Sequence, residues 1–246
     1  MRRCLTRHTA RAFAFAGVIG LLAALAVAPA GARPAKPPVV DIQPGAWLAP
    51  DARSISVQVL ASCPERWTVA EAVVTIRQPH GSGSASFPLT CIGSLRPFGV
   101  TVPATVGTFE LGEAQVTASV VVERGRTQST QDAQDVEAQP AVLVELAGSA
   151  QLESGGGAVV LDVAVACPAG TTGLRSTLHV SQGPAAGNGF YVPVCDGATH
   201  AFAVRVEASQ GAYVPGIAQA LTFAGVEFEG DTFFGIDDDG ALEVVD

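Results

Sequence analysis

Ser54-Ile55-Ser56-Val57-Gln58-Val59 alternates polar and apolar side chains and runs through Leu60-Ala61-Ser62 into Cys63-Pro64. A period of two puts Ile55, Val57 and Val59 on one face of a β-strand. The stretch returns 104 residues further on, where Leu161, Val163 and Val165 share one parity and lead into Cys167-Pro168. Laid on itself at that offset, the chain needs no gap. Cys91 and Gly93 fall on Cys195 and Gly197, Gln78 on Gln182, and Phe98, Val100 and Val102 on Phe202, Val204 and Val206. Gly107-x-Phe109-x-x-Gly112-x-Ala114-Gln115 falls on Gly211-x-Tyr213-x-x-Gly216-x-Ala218-Gln219. Of the 85 pairs from Val39 to Glu123, 21 are identical. The sequence reads as a tandem duplication of one unit of about 100 residues.

Each unit reads as all-β. Val74 and Ile76 match Leu178 and Val180, and Phe87 and Leu89 match Tyr191 and Pro193. Ala114 to Val122 is a long β-prone run with Val116, Val120 and Val122 on one face. Turn clusters punctuate these runs at Gln43-Pro44-Gly45, from Gln78 to Gly83, and at Ser154-Gly155-Gly156-Gly157. No stretch after the N-terminal segment keeps helical periodicity. About seven short strands in about 100 residues predict an immunoglobulin-like or fibronectin-like β-sandwich. The expected division is a signal peptide over 1–32, a Pro-rich lead-in over 33–38, and tandem sandwiches over 39–140 and 141–246, the second with an acidic C-terminal edge.

The cysteines follow strand parity. Cys63 shares parity with Val57 and Val59, and Cys91 with Phe87 and Leu89; Cys167 and Cys195 do the same in the second unit. Two inward cysteines per unit, 28 residues apart in both, predict the pairs Cys63–Cys91 and Cys167–Cys195. No Cys-x-x-Cys and no histidine at ligand spacing supports a metal reading.

The N-terminal 32 residues carry Arg2, Arg3, Arg7 and Arg11, then an apolar stretch from Ala12 to about Ala28, then Ala28-Pro29-Ala30 and Ala30-Gly31-Ala32. A basic region, an apolar region and small-x-small sites predict a secretory signal peptide rather than a membrane anchor. The chain holds 14 basic and 23 acidic residues; loss of those four arginines leaves 10 against 23, a net of −13. Such an acidic balance argues against nucleic acid and anionic membrane surfaces as partners. The expectation is a protein released outside the cell, with no membrane span in its mature part.

Little in the sequence points to catalysis. His8 belongs to the signal peptide, and His80, His179 and His200 fall in a loop, on an outward strand position and just before a strand. Ser82 and Ser84 sit in a Gly-Ser repeat without the strand–turn–helix setting of a nucleophile elbow. No Walker loop, dinucleotide fingerprint or zincin motif is present. The expectation is no catalytic residue, no cofactor and no metal ligand.

The dense polar constellation is C-terminal. From Ala141 onward there are 13 acids and two basic residues, Arg175 and Arg205, a net of −11. Asp237-x-Asp239-Gly240 resembles the middle of a calcium loop, but Gly235 stands where the first Asp belongs, Asp246 replaces the closing Glu, and no helices flank it. These acids read as a solvated edge that blunts a terminal strand. Phe228, Phe233 and Phe234 interleave with them and are expected to pack the last strand, or, if exposed, to form a contact patch.

The Cys-Pro opening, the Gln closing the next strand, the later Cys-x-Gly and the Gly-x-aromatic-x-x-Gly together resemble exported immunoglobulin-like sandwich repeat proteins of high-GC Gram-positive bacteria. The resemblance covers both units, implies architecture alone, and transfers no functional residue. A fainter likeness is to the acidic, disulfide-bonded apoproteins that carry enediyne chromophores, whose cysteine spacing differs. The functional expectation is a secreted, non-catalytic binding or interaction protein with a protein or cell-envelope partner; the alternative is a small-molecule carrier with an apolar cleft. The oligomeric state stays open.

Overall fold

The alternation at 54–62 becomes a strand because its apolar side chains reach a common core while Ser56 and Gln58 face outward. Ile55, Val57 and Val59 are buried to 1% exposure or less. The computed structural model of the chain describes residues 36–246, the side chains of Asp238 and Asp239 excepted. The signal-peptide reading of 1–32 and residues 33–35 of the lead-in lie outside the described residues.

The described residues hold strands and no helix. The first half comprises β1 (Val39–Leu48), β2 (Ser54–Ser62), β3 (Thr68–Arg77), β4 (Gly81–Ser86), β5 (Arg96–Pro103), β6 (Val106–Gly107), β7 (Gly112–Glu123) and β8 (Thr127–Pro140). The second comprises β9 (Leu143–Leu152), β10 (Ala158–Ala166), β11 (Thr172–Gly173), β12 (Ser176–Gln182), β13 (Ala185–Tyr191), β14 (Thr199–Gln210), β15 (Gly216–Phe228) and β16 (Asp231–Val245). The offset of 104 carries both ends of β1 onto β9 and both ends of β2 onto β10. Among the described residues no strand of one half pairs with a strand of the other, and residues 36–246 form one compact unit.

Each half is one curled sheet rather than the two facing sheets expected of a sandwich. The first runs β5-β2-β1-β8-β7-β3-β4-β6. In the second, β14-β10-β9-β16-β15-β12-β13 closes on itself through β13–β14, giving a seven-stranded barrel in which β11 pairs with the end of β15 on the edge that β12 occupies. The opening strand makes this continuity. Residues 39–42 of β1 pair with β2; after a break at Gln43-Pro44-Gly45, Ala46–Leu48 pair with β2 and also with β8, in parallel. Gly45, at φ +110°, supplies the turn that a side chain would strain. Parity reading sees strands and a turn there but not a strand that serves two neighbours.

The two halves differ at a proline where the closing strands meet. In the barrel, Asn188 and Gly187 of β13 pair with Glu207 and Ala208 of β14. Pro103 stands where Glu207 does. Ala104 N–H bonds the Arg53 carbonyl and Thr105 N–H the Ser82 carbonyl, so alternation turns position 103 toward β4. Pro103 has no N–H to give, and the ladder breaks there. The run resumes as β6, which pairs Val106 and Gly107 with Ser82 and Gly81. In both halves the carbonyl at this position, of Pro103 or Glu207, presses on a glycine, Gly83 or Gly187, so closely that a Cβ would collide with it.

The barrel interior is filled by residues such as Leu161, Val163, Leu178, Val206 and Tyr213, all buried. Burying side chains of this size contributes roughly 1.5–3 kcal/mol each. Disulfides Cys63–Cys91 and Cys167–Cys195 are both present, each across 28 residues. A loop of that length gives about 3.6 kcal/mol in the chain-entropy treatment, and two such bonds suit an oxidising compartment.

Several local expectations change. Cys91 lies on no strand: 87–95 is irregular, and Cys91 is half-buried there, meeting a Cys63 just past the end of β2. The Gly-Ser segment is a turn only at Pro79-His80; Gly81–Ser86 forms β4, because small residues let β3 and the 103–109 segment approach closely. β8, with the sequence TQSTQDAQDVEAQP, is too polar to read as a strand, yet pairs with β7 from Thr127 to Ala138. The acidic C-terminal edge is β16, which pairs with β15 and, at Glu243–Val245, also with β9, so it closes the barrel and its end is interior to the sheet.

Candidate interaction face

Alternation on β16 turns Phe233 and Gly235 toward the core and Phe234 and Ile236 outward. Ile236 lies opposite Phe223 of β15, and Phe234 opposite Gly225, whose Cα its ring covers. On the next strand Thr177 of β12 pairs with Phe223 on one side and with Phe190 of β13 on the other. Across these four adjacent strands β13 presents Phe190, β15 Phe223 and β16 Phe234 and Ile236 outward, at 52%, 39%, 63% and 59% exposure, with the half-buried Thr177 of β12 between Phe190 and Phe223. Ile217 and the half-buried Leu221 extend the strip along β15. The Arg175 guanidinium stands 3.8 Å from the centroid of the Phe190 ring, a cation–π contact. Scattered exposed apolar residues are ordinary on a protein surface; a contiguous band of large ones is not.

The first half provides a control within the same chain. By register, its counterparts of Phe190, Phe223, Phe234 and Ile236 are Ser86, Ser119, Ser129 and Gln131. Ile217 and Leu221 correspond to Glu113 and Thr117 by the 104-residue offset. The same strands in the same order carry polar side chains at all six places, so the strand arrangement does not require the apolar ones.

No protein-family model matches this chain, and no curated protein matches it in sequence.

The residues singled out from sequence are dispersed. His80 is exposed in the β3–β4 turn. His179 Nδ1 lies 3.0 Å from Asn188 Oδ1 across the β12–β13 pair. His200 Nε2 lies 2.8 Å from Asp196 Oδ1. That bond, with the Ala198 N–H, holds the Asp196 carboxyl below its ordinary range. Arg205 forks onto Glu153 at 2.9–3.0 Å and also meets Glu207, and its hydrogen bonds lower the Glu153 pKa. These exposed pairs contribute little to stability. Among the described residues no three His, Cys, Asp or Glu side chains converge as metal ligands do.

Asp237 has a backbone role. Its Oδ2 accepts the Leu146 N–H of β9 at 2.8 Å, as Asp132 Oδ2 accepts the Ile42 N–H of β1 at 2.8 Å. Both carboxylates therefore bond to the opening strand of their half. Gln78 and Gln182 also act in parallel. Each side-chain amide donates to two carbonyls, Glu110 and Glu113 or Val214 and Ile217, and accepts the N–H of Glu110 or Val214. Of the three C-terminal phenylalanines, Phe228 and Phe233 are half-buried and Phe234 is exposed. Phe190, Phe223 and Ile236 escape a reading of the C-terminus alone; comparing outward positions between the halves is the signal that finds them.

Two grooves lie elsewhere on the surface. One of about 580 Å³ is lined by residues including Pro50, Arg53, Phe109, Leu111, Pro168 and Asp196. Another of about 540 Å³ borders the first disulfide, with Val39, Pro64, Glu65 and Leu95. Both are open to solvent.

Proposed function

We propose that this is a secreted, non-catalytic binding protein whose contact surface is the apolar face of the second half. The observation that carries the reading is the contrast between Phe190, Phe223, Phe234 and Ile236 in one half and Ser86, Ser119, Ser129 and Gln131 in the other. Burying that face against a partner removes large apolar side chains from water, and the barrel holds them ready at little ordering cost. We take the partner to be a protein, at the cell envelope or outside it. The carrier alternative is weaker: the barrel core is packed with side chains and the grooves are open, whereas small-molecule sites enclose most of their ligand.

The wider reading is of two tandem copies, 39–140 and 141–246, after a cleaved export signal. It is supported by the 104-residue offset of sequence and strand ends, the paired Gln78 and Gln182 bridges and the equal disulfide spacing. An immunoglobulin-like ancestry, shared with exported repeat proteins of high-GC Gram-positive bacteria, is supported by the order β5-β2-β1 followed by β8-β7-β3, the two sheets of such a sandwich joined here through β1.

The test replaces each face residue with its counterpart: Phe190→Ser, Phe223→Ser, Phe234→Ser and Ile236→Gln. Native and substituted proteins are used as bait in culture supernatant and cell-wall extract, with mass spectrometry of retained proteins and small molecules. A protein kept by the native form and lost by the variant is expected. Identical profiles overturn the reading, and a small molecule retained by both favours the carrier.

A further inference from the structure

The charges around the apolar face constrain what covers it. At one end, the β15–β16 hairpin carries Glu227, Glu229 and Asp231, all exposed, beside the Gly225–Phe234 pair. At the other end Glu243, also exposed, lies opposite Ile217. The second half has only two basic residues. Arg175 lies against the Phe190 ring, and Arg205 is bound to Glu153 and Glu207. The face is therefore an apolar strip with an acidic group at each end and little basic charge to balance it.

We infer that the occupant of this face is a protein segment with an apolar centre and lysine or arginine side chains flanking it. The inference rests on the binding role proposed above. A contact that buries the strip brings the partner's rim close to Glu227, on the same face of β15 as Phe223, and to Glu243, opposite Ile217, where charges interact inside the screening length of about 8 Å at physiological salt. Basic side chains there gain attraction and steer encounter, while acidic ones are repelled. A second copy would bring a half of net −11 against another of the same charge. An anionic lipid surface meets the same repulsion. A flanked apolar segment satisfies both the strip and its ends.

The test uses short fluorescent peptides with a Leu/Phe centre and ends of lysine, glutamate or serine, titrated against the purified full-length protein by anisotropy at low and high salt. The lysine-ended peptide is expected to bind tightest, to weaken by roughly tenfold at high salt, and to lose binding to the Phe223→Ser/Phe234→Ser/Ile236→Gln variant. Reversing the exposed end charges, Glu227→Lys/Asp231→Lys, should transfer the preference to the glutamate-ended peptide without touching the apolar strip. Equal binding of all three peptides, lost in the strip variant, overturns the charge inference and leaves the binding face standing. Binding unchanged by the strip variant overturns both, as does no binding of the lysine-ended peptide. Self-association by sedimentation, or flotation with neutral phosphatidylcholine vesicles, each abolished by the strip variant, would assign the face to a second copy or to lipid and overturn the inference. A melting curve for each variant shows that it is folded; if the triple variant is not, Phe234→Ser alone, at the most exposed of the three, takes its place.

Discussion

Tyr191 and Thr222 join hydroxyls at 2.8 Å inside the barrel, where the first half holds Phe87 and Ala118 at the corresponding places. Thr222 Oγ1 can also donate to the Thr177 carbonyl at 3.2 Å. The Tyr191 hydroxyl has an outlet of its own in the Phe223 carbonyl at 3.5 Å, so either hydroxyl can donate to the other while the acceptor of that bond donates to its carbonyl. The Ser176 hydroxyl, buried close by on β12, accepts the Gly225 N–H at 3.0 Å; its counterpart in the first half is Ala72. The second core is thus more polar than the first, with its hydroxyls paired.

Thr222→Ala should cost about 1–3 kcal/mol, because it removes the short-range hydrogen-bond partner of a buried hydroxyl. The double variant Tyr191→Phe/Thr222→Ala should recover part of that loss, since it restores the apolar pair that the first half uses. Urea unfolding of the native protein, both single variants and the double closes the cycle. A double variant less stable than Thr222→Ala alone would contradict this account.

Alkali should destabilise the second half through its tyrosines. Burial raises the Tyr191 pKa, partly offset by the bond to Thr222, and burial also raises that of Tyr213. A phenol whose folded pKa lies above its unfolded value favours the fold while neutral. That stability is fully present below about pH 10 and is lost as pH rises through the folded value. The measurement is Tm against pH from 8 to 12, in the native protein and in Tyr191→Phe/Tyr213→Phe. The variant should lose part of the alkaline fall, and superimposable curves count against it.

Gln182→Glu should destabilise more than Gln182→Ala. The Nε2 group donates to the carbonyls of Val214 and Ile217. A carboxylate would set an acceptor against two acceptors and add a charge, whereas alanine only deletes the bridge, at about 1–2 kcal/mol. The same order should hold for Gln78 in the first half. Amide exchange of Val214 and Glu110, whose N–H groups these side chains accept, reports the loss directly in the alanine variants, which alone remove that acceptor; unchanged protection there would refute the bridge.

Asp237→Ala and Asp132→Ala should cost similar amounts, about 1.5–3 kcal/mol, since each removes a charged acceptor from a strand N–H. Millimolar calcium should leave the native melting temperature in place, because Asp237 is committed to Leu146. A calcium-dependent rise abolished by Asp237→Asn would show a metal role instead.

Sequence legibility followed side-chain chemistry. β2 and β10 were readable because Ile55, Val57, Leu161 and Val163 alternate with residues that face outward. β8 was not, because only Val136, Ala138 and Pro140 along it are fully buried and the rest of its pairing is backbone. The disulfides were readable from equal spacing, although Cys91 sits on a loop and parity was not the reason. Pro103 lacks the N–H that Glu207 can donate, so the ladder to β4 loses a rung there; hydrophobic pattern carries no such information. The apolar face was hidden because Phe190, Phe223 and Ile236 lie on three strands brought to one face by the β12–β15 pairing, which joins segments far apart in sequence.

The parallel pairing of first and last strands has a mechanical consequence. In each half the entering strand runs beside the leaving one: Ala46–Leu48 with Ala138–Pro140, and Ser149–Gln151 with Glu243–Val245. Tension applied between the two ends of such a half pulls these neighbours in opposite directions along their length. Their hydrogen bonds are loaded together, in shear, instead of peeling one after another as in a hairpin pulled from its open end. Each half is therefore built to hold its shape when the chain is stretched.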